Sequence, residues 1–150
     1  MKHHLTRSST RLLLLLAITA LPILASCGSS NSELTPVTGK VEYKGKALTA
    51  ATVRFIPMGQ TTGFGGEGRT DAEGKYTITY ARGGSGLPPG QYKVVVSKRL
   101  NPDGSEPPAD EEPIESQARE TLPAQYSSED STQITKTVPP DGGTIDIELK

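Results

Sequence analysis

The chain has 150 residues, with 16 Lys and Arg against 17 Asp and Glu, so its formal charge is −1. A balance so near zero excludes the basic field of a nucleic-acid-binding surface. One cysteine excludes an internal disulfide, and 16 glycines with 12 prolines favour turns and strands over long helices.

Residues 1–26 fall into three zones. Lys2, Arg7 and Arg11 form a basic start without an acidic residue. Leu12 to Leu24 is an apolar run of 13 residues. That is short for a membrane span, which needs about 20, and suits the core of an export signal. Ala25 and Ser26 then place small residues before Cys27, the one thiol of the chain.

Leu24-Ala25-Ser26-Cys27 resembles the lipobox of bacterial lipoproteins. Its residue types follow from the chemistry. A thiol is the nucleophile that takes up a diacylglyceryl group, small residues let a peptidase hold the chain extended, and Leu24 fills an apolar pocket. The resemblance implies a signal peptide over residues 1–26, cleavage between Ser26 and Cys27, and acylation of Cys27 with palmitate or similar chains. The membrane lipid is the partner this implies, and several acyl chains make a stable anchor where one does not. Residue 28 is Gly, not the Asp of the inner-membrane retention signal, so the outer membrane is favoured if the cell has two. Cleavage would leave 13 basic and 17 acidic residues and no histidine, since His3 and His4 leave with the leader.

Residues 27–35 read as the lipidated Cys and a flexible Ser/Gly tether. The domain is placed at 36–150 and predicted to be all-β: short alternating strands broken by turn residues, as in a sandwich. Val37, Gly39, Val41 and Tyr43 share one face of the first strand. Ala51 to Pro57 forms the second, with Ala51, Val53 and Phe55 inward. Thr62 to Gly68 is Gly-rich and is expected to be a loop or an irregular edge. Asp71-Ala72-Glu73-Gly74 is a hairpin turn, with Gly74 supplying a positive φ. Tyr76, Ile78 and Tyr80 alternate after it. Pro88-Pro89-Gly90 turns the chain into a strand where Tyr92, Val94 and Val96 alternate with Lys93, Val95 and Ser97.

Residues 101–121 carry Pro102, Pro107, Pro108 and Pro113 among Asp103, Glu106, Asp110, Glu111, Glu112 and Glu115. This reads as a long exposed acidic loop, with a short helical turn near Glu115 to Glu120. Order resumes at Leu122. Gln133 to Val138 is another strand, Pro139 to Gly143 a turn, and Thr144 to Leu149 the closing strand, with Ile145, Ile147 and Leu149 inward.

Three spaced motifs then carry a second resemblance. Gly39-Lys40-Val41 with Gly45-Lys46-Ala47-Leu48 and Ala51-Thr52-Val53-Arg54-Phe55, then Thr70 to Tyr76, then Leu87 to Val94, are similar to the hallmarks of carboxypeptidase regulatory-like domains. The tail from Leu122 through Thr132 and Val138 to Leu149 is similar to the ending of small lipoproteins that carry this domain alone. The resemblance covers almost all of 36–150. It implies an antiparallel Greek-key sandwich of about seven strands, transthyretin- or prealbumin-like. In the family's namesake enzymes the domain is an accessory to a separate catalytic domain, and none is attached here.

No enzyme is expected. Without histidine and with Cys27 acylated, the mature chain has no Ser/His/Asp or Cys/His set and no zinc or copper ligands of the usual kind. The acidic loop offers oxygen atoms for Ca²⁺, but its spacing is not that of a calcium loop and its prolines hold the acids apart, so a solvated loop is expected. Asp71 and Glu73 are expected to serve the turn rather than a cation. Lys40 and Asp146 alternate with inward residues and should both point outward, so no isopeptide bond should link them. Tyr43, Tyr76, Tyr80 and Tyr92 are expected in the core more than in a sugar-stacking platform, with Tyr80 and Tyr126 the most exposed. No cofactor and no metal are expected. The reading is a non-enzymatic, lipid-anchored envelope protein whose sandwich is a structural or binding module. The alternatives are an accessory subunit on a secreted enzyme or transporter, and a carbohydrate or small-ligand binder.

Overall fold

Period-two alternation produces two sheets with their apolar faces turned to each other, as seen in a computed structural model that describes residues 33–108 and 116–150. The protein is an all-β sandwich, as the alternation predicts. The first sheet is built on β1 (Val37–Tyr43). Along one edge of β1 lie β2 (Lys46–Ala47) and β5 (Lys75–Thr77), both antiparallel. Along the other lie β11 (Gly143–Thr144) and β12 (Ile147–Leu149), both parallel to it. The closing segment therefore makes this sheet mixed, where an antiparallel one was expected.

The second sheet is antiparallel throughout, in the order β10 (Thr135–Val138), β7 (Gly90–Ser97), β3 (Thr52–Pro57), β4 (Gly66–Arg69), β6 (Thr79–Tyr80). A separate ribbon pairs β8 (Arg99–Leu100) with β9 (Arg119–Glu120). Helix α1 (Ala124–Ser127) is a single turn.

The core between the sheets takes Val37, Val41, Tyr76, Ile147 and Leu149 from the first and Val53, Phe55, Tyr92, Val94, Val96 and Val138 from the second. Burying each such side chain stabilises by about 1.5–3 kcal/mol before entropy is counted. The Phe55 ring lies 5.9 Å from Tyr92, edge-on, and 6.3 Å from Tyr76. Tyr76 and Tyr80 do not share one strand as their alternation implies. The chain crosses between sheets at Ile78, so Tyr76 lies in the first and Tyr80 in the second.

Four readings of the sequence are corrected. The Gly-rich stretch is partly strand. Gly66 and Gly68 of β4 sit opposite Phe55 and Val53, and a Cβ on them would lie 2.4 and 2.3 Å from the carbonyl oxygens of Thr79 and Thr77. Backbone fills the place of side chains there. No helical turn forms over Ser116 to Glu120, which ends in β9; the helical turn comes at Ala124 instead. The start and end of the long acidic loop are held together as the β8–β9 ribbon, with Ala118 buried. Finally, Thr35 belongs to the domain, because it is buried and exchanges backbone hydrogen bonds of 2.9 and 3.0 Å with Leu87.

Candidate functional site

Ser26 and Cys27 lie outside the described residues, as do Asp110, Glu111, Glu112 and Glu115 of the acidic loop. Among the acids that are described, Asp71, Asp103 and Glu106 have structural work. The Asp71 Oδ1 accepts from the N–H groups of Glu73 (2.9 Å) and Lys75 (2.8 Å), which closes the turn around Gly74 at φ 77°. Asp103 accepts from the hydroxyl (2.6 Å) and N–H (2.9 Å) of Ser105, and these bonds hold its carboxyl below the usual range. Glu106 pairs with Arg69 at 2.9 Å. No group of three or more His, Cys, Asp or Glu side chains converges among the described residues, and no helix among them is long and apolar enough to cross a membrane.

Lys40 and Asp146 do point outward. The Lys40 Nζ lies 2.7 Å from Glu42 Oε1, and that hydrogen bond and charge raise the lysine's pKa. Asp146 has a different task. The ladder between β1 and the closing segment breaks at Ile145–Asp146, and the Asp146 carboxylate accepts the Lys40 N–H at 2.8 Å in place of a backbone carbonyl. Behind it, the Tyr76 hydroxyl donates to the Ile145 carbonyl at 2.5 Å. Gly39 is required here, because a Cβ would lie 2.1 Å from that same oxygen. A furrow of about 500 Å³ runs over this surface between Lys40, Lys75, Thr77 and Asp146.

The tyrosines divide as predicted, with one addition. Tyr76 and Tyr92 are buried, and burial pushes their phenols up, that of Tyr92 to about 12 with a further contribution from Tyr80. The Tyr92 hydroxyl donates to Pro88 O at 2.7 Å. Tyr80 and Tyr126 are partly exposed, and so is Tyr43, which meets Tyr126 edge-on at 6.3 Å.

One concave surface was not legible as a site. It is an open trough of about 740 Å³ on the outer face of β3, β4 and β6. Outward residues of neighbouring strands line it: Arg54 opposite Glu67, Thr52 opposite Arg69, with Ile56 and Phe64 along its length. Beside it the same sheet is covered. The segment around α1 packs on β7, the Thr132 hydroxyl donates to Val94 O at 2.9 Å, and Lys93 reaches Glu129 O at 3.2 Å. Val95 is consequently 3% exposed although it points away from the core.

Both trough arginines already have carboxylates nearby, Arg69 with Glu106 and Arg54 with Glu129 at 3.9 Å. The surface has no nucleophile–base pair. It presents an apolar stripe, with Ile56 and Phe64, and planar cations at its side. Comparison with known protein families, curated proteins and solved structures finds no match to this chain.

Proposed function

We propose that this chain is a non-enzymatic, lipid-anchored cell-envelope protein whose sandwich serves as a structural or binding module. One observation carries the reading: the only cysteine follows a 13-residue apolar run at Leu24-Ala25-Ser26-Cys27, where lipid chemistry requires a thiol. The finer fold assignment, a transthyretin-like Greek key of the carboxypeptidase regulatory-like kind, belongs to the same proposal and rests on the three spaced motifs. If the cell has two membranes, the outer one is the favoured location because residue 28 is Gly.

The trough favours one of the alternatives. An open surface lined by Arg54, Glu67, Arg69 and Phe64 suits a macromolecular partner better than a small ligand, which is normally enclosed. Docking on another envelope protein is therefore the second reading. The primary test is metabolic labelling with palmitate. The full chain should carry label and sediment with membranes, and Cys27→Ser should lose both. A labelled Cys27→Ser protein would overturn the proposal.

A further inference from the structure

We infer that the end of the sandwich bearing Phe64 and Arg82 rests on the lipid surface, with the Phe64 ring inserted among the headgroups. This rests on the lipid-anchor reading.

The first observation is the ring itself. Phe64 is the one large apolar side chain exposed among the described residues, at 58%. Its position is built. Gly63 and Gly65 flank it with φ of 104° and 75°, and a Cβ on Gly65 would lie 2.1 Å from Phe55 O. The Phe64 N–H donates to the Tyr80 hydroxyl at 3.2 Å. The backbone is thus held on both sides while the ring is turned out. The Arg82 guanidinium carbon lies 3.8 Å from the ring centroid. An aromatic ring with a planar cation stacked on it suits a boundary where hydrocarbon meets phosphate.

The second observation is where the chain enters the domain. Thr35 pairs with Leu87, and Leu34 lies against Gly84, whose Cβ would be 2.8 Å from the Leu34 Cδ1. The Arg82 loop and the start of the domain are therefore neighbours. Seven residue steps separate Cys27 from Leu34, so the acylated residue can stand no more than about 25 Å from this end. At that reach the anchor keeps the ring at a high effective concentration beside the bilayer, so a single aromatic is enough to dock.

Charge agrees with this orientation. The segments at this end, 33–36, 58–65, 81–90 and 139–143, carry only Glu33, Arg82 and Asp141. The opposite end carries Lys44, Lys46, Asp71, Glu73, Lys98, Arg99, Asp103 and Glu106. A bilayer accepts the first far more readily than the second.

The chain has no tryptophan, so Phe64→Trp supplies a single reporter. The mature lipidated protein carrying it would be reconstituted into vesicles of phosphatidylethanolamine and phosphatidylglycerol, with Lys46→Trp as the far-end comparison. The Phe64→Trp emission should shift to the blue and be quenched when the acyl chains are brominated, while Lys46→Trp stays red and unquenched. A red, unquenched Phe64→Trp in protein shown to carry label on Cys27 would overturn the inference and leave the lipid anchor standing. A blue shift without bromine quenching would also overturn it, because protein rather than lipid would then cover the ring. Absence of label on Cys27 would remove both.

Discussion

At the end where the chain enters the domain, many of the closing contacts run from backbone to backbone. Thr35 pairs with Leu87, the Gly143 N–H donates to Pro36 O at 2.9 Å, the Gly86 N–H donates to Ile78 O at 2.8 Å, and Met58 donates to Gln91 O. Glycines make this possible: a Cβ on Gly86 or Gly142 would lie 2.0 or 2.3 Å from the carbonyl oxygens of Thr35 and Pro36. At the other end the closures are carboxylates. Asp71 ties its turn, Asp103 ties Ser105, and Glu120 accepts from the Ser97 hydroxyl and from the N–H groups of Lys98, Thr121 and Leu122. The first end therefore leans on close backbone approach, helped by the Thr61 and Tyr80 hydroxyls, and the other adds carboxylate acceptors to its backbone bonds. The two should fail under different insults.

The largest effect is expected from Gly86→Ala. The added carbon meets Thr35 O, and φ at this position is +100°. A cost of about 3 kcal/mol or more in denaturant unfolding is expected. A variant as stable as the parent would mean that this end is not closed by backbone contact. Next comes Glu120→Ala, which takes the acceptor from the Lys98 and Leu122 N–H groups and from the Ser97 hydroxyl, while the Thr121 N–H keeps the Lys98 carbonyl. The loss should be about 1–3 kcal/mol. Limited proteolysis should then cut within 101–121 sooner than elsewhere, whereas Gly86→Ala should not favour that site.

The pH dependence gives the smallest and most selective effect. Burial disfavours the phenolate of Tyr92, so its pKa rises on folding from 10.0 to about 12. Its contribution is complete below the unfolded value and is lost as pH climbs from about 10 towards 12. Asp103 shifts the other way: its contribution is present above its usual 3.8 and lost as pH falls through the lowered value. Thermal unfolding followed across pH should therefore show an alkaline decline, to which Tyr76 also contributes, that Tyr92→Phe reduces in part, and an acid decline that it leaves alone. If Tyr92→Phe leaves the alkaline decline unchanged, the assignment to this phenol is wrong.

Much of this molecule can be read from its residues, and the failures share a cause. Val37 and Val41, Val53 and Phe55, and Tyr92, Val94 and Val96 announce their strands because each has one wet and one dry face. β4 is silent because its inward positions are Gly66 and Gly68, and a strand that packs by backbone carries no apolar alternation. β8 and β9 are too short to alternate and flank a stretch of prolines and acids. Val95 breaks its own pattern because the segment around α1, distant in sequence, covers it. The trough is hidden for the same reason, since it exists only where outward residues of three strands meet. The proposed acylation signal is the opposite case: its letters are contiguous, so it needs no fold to be read.

The parallel pairing of β1 with the closing segment also bears on how the domain forms. Lys40 meets Asp146 across 106 positions. Closing so long a loop precedes any reward from the contacts it brings, which slows folding. A chain fed through a membrane from its N-terminus would present β1 first and leave one edge of it unpaired until residues 143–149 arrive. The strand nearest the tether would be the first made and the last finished, and a translocating chain would need protection for that edge in the interval.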